Sequence, residues 1–297
     1  MNLEPWARPI GYYFRWLKRR NIDAARRFAS RIGSADDAMA EGAAAEALVW
    51  DFLDNRELRI ELAESGTGGP DFRCQGQFGP FYAEVTNMSR SLVTCKTNLP
   101  AHPRPGGGRG SYATLTRQIK REVISKAEQF SDANLELPLV IFVTTLHSGA
   151  SALCFQRHRI EELLCSERSI SWLVDLRTGD SASDPYESID MRFSVATRAQ
   201  SLQETRRHIS AVVAADFGAP PPEAEVRGVL LPTPMHPFDP RCLSDVEFCR
   251  FAEWPVHEQL SLEWINTACP RPRRCDAETE ASIRRAVQRL ALRSPVS

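Results

Sequence analysis

The chain has 297 residues, 42% of them hydrophobic and 25% charged, and its formal net charge at pH 7 is −1. This composition is ordinary for a soluble globular protein with one large domain, or one domain with extensions, and excludes the compositionally extreme classes. No apolar run reaches 18 residues, the N-terminus lacks the apolar stretch of a signal peptide, and the eight cysteines lack zinc-site spacing, which predicts a cytoplasmic protein with reduced thiols and no membrane contact.

The first 31 residues are basic and aromatic. They carry eight arginine or lysine residues against only Glu4 and Asp23, with tryptophan and tyrosine interleaved. Such a segment suits a nucleic-acid backbone, where cations bind phosphates and aromatic rings stack on bases. The interpretation we prefer is an amphipathic helix whose aromatic side chains pack and whose arginines are solvated. Residues 1–34 are predicted to form a basic, aromatic N-terminal extension.

A helix and a strand come next. Residues 34–37 (Ser-Ala-Asp-Asp) offer N-cap candidates for an alanine-rich helix that extends to about Leu53 and contains Glu46. Residues 58–64 alternate apolar and charged side chains, which predicts a strand with one buried face. Glycine and proline residues then lead to Asp71.

Two short runs, 71–74 and 81–86, flank a Gly/Gln/Pro turn and predict a β-hairpin. Side chains alternate between the two faces of a strand, so Glu84 points away from the apolar side chains of the second run. A hairpin symmetric about Gln77 and Phe78 places Asp71 opposite Glu84, with Cβ atoms about 5 Å apart. We therefore expect both carboxylates to face away from the core.

The two opposed carboxylates repel each other unless a divalent cation lies between them. Mg²⁺ is commonly held by one or two carboxylates, with water and phosphate oxygens as its other ligands. The competing interpretation is an ordinary turn at Asp71 and a solvated Glu84 on an edge strand.

The remainder of the chain alternates helices and strands. Residues 100–111 form a basic, glycine-rich loop, and residues 112–130 a helix with a buried apolar stripe and an adjacent stripe of Gln118, Glu122, Lys126 and Gln129. The apolar run 137–145 predicts a central strand covered on both faces. Further strands are expected at 171–178 and 226–231, and helices at 157–165, 199–216 and 276–292.

This alternation predicts an α/β fold with a central mixed β-sheet flanked by helices. We expect an α/β domain over residues 35–235. A proline-rich and helical C-terminal extension is predicted over residues 236–297.

The order of these features resembles the PD-(D/E)xK restriction-endonuclease-like nuclease superfamily. The features are a helix with Glu46, a strand, Pro70-Asp71, Glu84-Val85-Thr86, a helix with 126–129 (Lys-Ala-Glu-Gln), and an apolar strand. The likeness covers about residues 38–145. It implies a restriction-endonuclease-like core.

The same resemblance implies roles for individual residues. Asp71 and Glu84 would bind one or two Mg²⁺ ions, with Mn²⁺ as the alternative ion, and the Val85 carbonyl would be a further ligand. Glu46 would be an accessory catalytic carboxylate.

The chain departs from the family pattern because Thr86 occupies the position of the motif lysine. A hydroxyl supplies no positive charge to the developing phosphorane, so the charge must come from elsewhere or be missing. Some family members carry this lysine on the following helix, where Lys126 and its neighbour Gln129 are candidate catalytic residues; Lys96 and Lys120 are poorer candidates. A solvated helix lysine is the alternative for Lys126.

The sequence thus predicts a Mg²⁺-dependent nuclease that hydrolyses DNA phosphodiester bonds. A catalytically inactive nucleic-acid-binding member of the same fold is the first alternative, and the missing motif lysine favours it. A protein-interaction module without nuclease activity is the second, slightly favoured by the balanced net charge. DNA is the expected nucleic acid, with a second copy of the chain or a partner subunit as a further open expectation.

Overall fold

The computed structural model describes residues 3–63, 69–97, 109–131, 133, 135–147, 150, 157–164, 166–171, 178, 186–190, 207–217, 226–252 and 262–265. The first part is helical, with a 3-10 turn at Glu4–Trp6 followed by α1 (Ala7–Arg20), α2 (Ile22–Ile32) and α3 (Asp37–Asp54). Asn21 separates the first two helices and caps α2, since its side chain accepts the N–H groups of Asp23 and Ala24. The basic N-terminal segment therefore forms two helices where the sequence pattern predicts one.

The strands and remaining helices follow in alternating order. They are β1 (Arg59–Leu62), β2 (Phe72–Gly76), β3 (Gly79–Met88), α4 (Arg90–Thr97), α5 (Arg109–Ser131), β4 (Leu139–Thr145), α6 (Arg157–Leu164), β5 (Ser166–Ser171), β6 (Tyr186–Asp190), β7 (Ala211–Asp216), β8 (Val226–Leu230), a 3-10 turn (Pro240–Leu243), β9 (Glu247–Phe251) and β10 (Leu262–Ile265). The fold is α/β, as predicted.

Eight of these strands form one mixed sheet in the order β1-β2-β3-β4-β7-β8-β9-β10, while β5 and β6 form a separate pair. β3, β4 and β7 are parallel neighbours, and β1, β2 and β3 are antiparallel neighbours. Both β9 and β10, which lie in the predicted C-terminal extension, join this sheet.

Helices cover both faces of the sheet, and each face has its own hydrophobic core. On one face, side chains of α1, α2 and α3 pack on β1–β4 and β7; Tyr13, Phe28 and Leu48 belong to this core. On the other face, α5 and α6 pack on β3, β4, β7, β8 and β9. β4 is buried along its whole length because both faces are covered. The predicted central strand at 137–145 is confirmed over Leu139–Thr145.

Several other predicted elements are confirmed. Asp36 caps α3 by accepting the N–H of Ala38 at 2.9 Å, and the predicted apolar stripe of α5 is buried at all five positions, Leu115, Ile119, Val123, Ala127 and Phe130. The hairpin has the predicted register, with Phe72 opposite Ala83 and Gly76 opposite Gly79. This pairing is symmetric about Gln77 and Phe78.

The helix predicted at 199–216 is wrong over 207–216, because residues 207–210 are not helical and residues 211–216 form β7. The sequence there, Ala-Val-Val-Ala-Ala-Asp, combines helix-favouring alanines with valines, but all five apolar residues are buried between the two helical layers. Burial on both faces prevails over the alanine helix propensity. Residues 199–206 lie outside the described residues.

Other boundaries also differ. The strand predicted at 171–178 shares only Ser171 with β5, and residues 172–177 lie outside the described part. α5 begins at Arg109, inside the predicted loop, whose residues 100–108 lie outside the described part, as does the predicted helix at 276–292. Within the described residues, no helix combines the length and the apolar character that crossing a bilayer requires.

Candidate functional site

The hairpin brings Asp71 and Glu84 into contact at the point where β2 begins. The β2–β3 pairing ends at Phe72 opposite Ala83, and one step further the Asp71 N–H donates to Glu84 Oε2 at 3.2 Å. The Val85 N–H donates to Asp71 Oδ2 at 2.7 Å. The Asp71 carboxylate therefore accepts a β3 N–H in the way that a backbone carbonyl of a paired strand would. This hydrogen bond holds the Asp71 side chain against β3.

Glu84 is buried, with 3% of its surface exposed. It points away from the core of the first face, as predicted, but α5 covers the second face at this point, so the expectation that the carboxylates face away from any core is wrong for Glu84. The alternative of a solvated residue on an edge strand is also wrong, because β3 is the third strand of eight. Asp71 keeps some exposed surface as a residue, whereas its carboxyl group is desolvated.

Burial and mutual repulsion perturb both carboxyl groups. The pKa of Asp71 lies well above its ordinary value because the group is desolvated and because the charges of Glu84 and Glu46 act on it. Burial also raises the pKa of Glu84, against the opposing effect of Lys126. These carboxylates are costly to ionise without a cation, which is the electrostatic state expected of an acidic pair that binds one.

Lys126 supplies one positive charge to this pair from α5. Its Nζ lies 2.5 Å from Glu84 Oε1, and the exposed fraction of the side chain is 23% for Lys126 and 5% for Glu84. Nζ also donates to Gln129 Oε1 at 3.0 Å, one turn further along α5. The alternative of a solvated Lys126 is therefore wrong, and Gln129 contacts the site through Lys126.

Thr86, at the family's lysine position, carries no charge and is 8% exposed. It lies two residues beyond Glu84, so both side chains point toward α5. Its Oγ1 donates to Glu122 Oε2 at 3.4 Å, and Gln118 Nε2 donates to Glu122 Oε1 at 2.6 Å. Glu122 and Gln118 lie on the predicted polar stripe, but no pattern in the sequence indicated that Thr86 contacts Glu122.

Glu46 lies on α3 and is held from the N-terminal helices. Tyr13 of α1 donates to Glu46 Oε1 at 2.5 Å, and Nη1 of Arg31 on α2 donates to Oε2 at 2.7 Å. Burial and the Glu46 charge raise the pKa of Tyr13 well above its ordinary value. Burial lowers the pKa of Arg31, but the charge and hydrogen bond of Glu46, together with the charges of Asp71 and Tyr13, raise it above its ordinary value.

Sequence reasoning missed Tyr13 and Arg31 as site residues. Both belong to the basic, aromatic segment, but nothing in that segment separates them from its other arginines and aromatics. Only the packing of α1 and α2 on α3 selects them.

The donor set at Asp71 and Glu84 fits a hard divalent cation such as Mg²⁺ or Mn²⁺. It offers two carboxylates with raised pKa values, and Val85, which follows Glu84 in the chain, donates its N–H to Asp71. A carboxylate oxygen has more than one lone pair, so it can accept a hydrogen bond and ligate a cation together. Among the described residues, no group of three or more His, Cys, Asp or Glu side chains has metal-binding geometry, so water and phosphate would complete the coordination.

Comparison with models of protein families, with curated proteins and with solved structures finds no match for this chain. The site is therefore interpreted from its own geometry. It brings Asp71, Glu84, Lys126 and Gln129 together, and the Glu46 charge acts on Asp71 from the neighbouring helical layer.

Proposed function

We propose that this protein is a metal-dependent nuclease with a restriction-endonuclease-like core that hydrolyses DNA phosphodiester bonds. The observation that carries the proposal is the contact between Lys126 Nζ and Glu84 Oε1 at 2.5 Å, beside Asp71. Through this contact, Lys126 on α5 provides the positive charge that Thr86, at the position of the motif lysine, lacks. Two carboxylates and one lysine are the charged groups that such a hydrolysis needs.

Asp71 and Glu84 would hold the metal ion, and the Val85 carbonyl is the proposed further ligand. A bound Mg²⁺ would polarise the phosphoryl group of the substrate and lower the pKa of a bound water. Lys126 places its ammonium where negative charge accumulates on the phosphate oxygens during attack. Gln129 orients that ammonium, and Glu46, with both oxygens bonded to Tyr13 and Arg31, acts as an accessory carboxylate rather than a ligand.

The proposal is tested by incubating the purified protein with linear, circular and single-stranded DNA in Mg²⁺, Mn²⁺ or EDTA. Wild type is expected to cut only with metal, and Asp71→Ala and Glu84→Ala are expected to lose cleavage. Carboxylate variants that cut at the wild-type rate would refute the assignment of the site.

A second candidate is a nucleic-acid-binding protein of the same fold without catalysis. It is favoured by the engagement of both Glu84 oxygens with protein donors, Oε1 with Lys126 and Oε2 with the Asp71 N–H. It predicts salt-sensitive nucleic-acid binding that is unchanged by EDTA, with no cleavage of any substrate. The same assay therefore separates the two candidates, and a protein with neither binding nor cleavage would match a protein-interaction module.

A further inference from the structure

Arg31 pairs with a mostly buried carboxylate while part of its own side chain is exposed to solvent. Its Nη1 is 2.7 Å from Glu46 Oε2, while 41% of its side chain is exposed. Arg19, Arg20, Arg26 and Arg27 are exposed on the same two helices. Arg26 pairs with Asp23 on its own helix, at exposed positions.

The Arg31 guanidinium is held by a buried scaffold. Glu46 keeps 14% of its side-chain surface, and its other oxygen is bonded to the hydroxyl of Tyr13, which has no exposed surface. Tyr13 in turn packs edge-on against Phe28 and Phe72, with ring centroids 5.0 and 6.0 Å apart. A side chain held at one donor loses less conformational entropy when its remaining donors bind a ligand.

The same scaffold connects Arg31 to the carboxylate pair through Glu46, Tyr13 and Phe72. Phe72 follows Asp71 directly, so the Tyr13 ring packs on the first residue of β2. The Asp71 charge acts on Arg31, as does that of Glu46. Arg31 and Lys126 thus bring positive charge to the carboxylates from the two opposite helical layers.

We infer that Arg31 binds a phosphate group of the nucleic-acid substrate beside the carboxylate site, and that Glu46 and Tyr13 position it to do so. This inference rests on the proposed function, because it takes the occupant of the site to be a phosphodiester. The planar guanidinium fork suits a tetrahedral phosphate, since two of its N–H groups reach two oxygens of one group. Nη1 is bonded to Glu46 and 41% of the Arg31 side chain is exposed, so phosphate binding would use the other N–H groups of the fork.

The test measures affinity for a duplex oligonucleotide by fluorescence anisotropy in EDTA, over a series of salt concentrations, for wild type and Arg31→Ala. We expect about tenfold weaker binding for the variant. Losing one phosphate contact should also make the slope of log affinity against log salt shallower by about 0.9. Arg26→Ala is the matched control, because it removes one exposed charge from the same helix and should leave both quantities unchanged.

A second arm identifies the phosphate. In a series of duplexes, each carries one neutral methylphosphonate linkage at a different position. At the linkage that Arg31 contacts, wild type should lose about tenfold in affinity, and Arg31→Ala should lose nothing further there. Equal losses in both proteins at every position would mean that Arg31 acts only through the fold, which overturns the inference.

Should Arg31→Ala fail to fold, Arg31→Lys replaces it, because lysine keeps the ion pair with Glu46 but lacks the fork. For Arg31→Lys, the slope of log affinity against log salt should equal that of wild type. The loss of affinity at the methylphosphonate position that Arg31 contacts should be smaller than in wild type. Wild-type affinity, slope and coupling in a folded variant would overturn the inference. Metal-dependent cleavage by wild type, measured alongside, distinguishes this failure from failure of the proposed function, in which wild type does not cut DNA.

Discussion

Replacing Lys126 with methionine removes the ammonium from Glu84 while keeping a long, apolar side chain on α5. Removing one partner of a buried ion pair costs about 3–5 kcal/mol in the free energy of unfolding, because the remaining charge is left unpaired. The side chains of Glu84 and Lys126 are 5% and 23% exposed. Because part of the Lys126 side chain is exposed to solvent, we expect the free energy of unfolding to fall by about 3 kcal/mol at pH 8, at the lower end of that range.

The loss should shrink at acidic pH. Burial already raises the pKa of Glu84, against the effect of Lys126, and removing the lysine raises it further. A carboxyl group whose pKa is higher in the folded than in the unfolded state contributes stability below its unfolded pKa and loses it as pH rises through its folded pKa. The variant should therefore approach wild-type stability as pH falls.

The assay is urea unfolding in EDTA at pH 5 and pH 8. Arg121→Met, which removes an exposed charge from the same helix, should change stability by no more than about 0.5 kcal/mol. The double variant Lys126→Met/Glu84→Gln should recover most of the loss, because the neutral amide needs no cation. A loss at pH 8 no larger than that of Arg121→Met, or one independent of pH, would refute the role assigned to this ion pair.

Three further predictions concern the same site. Asp71→Asn should unfold at higher urea than wild type in EDTA at neutral pH, because its amide stays neutral where the raised pKa of Asp71 makes ionisation costly; a less stable variant would contradict this. Adding Thr86→Lys to Lys126→Met should restore part of the cleavage rate, because position 86 points toward α5 beside the carboxylates; a rate equal to that of the single variant would argue against interchangeable lysines. Tyr13→Phe should lose about 1.5–3 kcal/mol in urea unfolding, since its hydroxyl donates to the charged Glu46, and wild-type stability would show that the bond contributes little.

The local parts of the fold were predictable because they depend on short-range patterns. The hairpin register follows from the position of its turn, and the α5 stripe follows from helical spacing; both are as predicted. β7 was mistaken for helix because its alanines and valines fit either structure until the covering layers are known.

The candidate site was predictable only in part. The opposed position of Asp71 and Glu84 follows from the hairpin, and Lys126 was reached through the family resemblance. The burial of Glu84 depends on α5, which follows the hairpin in the chain, and the contacts of Tyr13 and Arg31 with Glu46 span 33 and 15 residues. Contacts at such separations leave no local pattern in one sequence.

We propose that Asp71 and Glu84 bind the metal ion with which this protein cuts DNA. The most direct measurement is the single-turnover cleavage rate of circular DNA in Mg²⁺ and in EDTA, for wild type and for Glu84→Gln, which keeps the shape of the side chain. We predict Mg²⁺-dependent cleavage by wild type and a rate at least about a hundredfold lower for Glu84→Gln. Equal rates for the two proteins, or wild-type cleavage that persists in EDTA, would contradict the account.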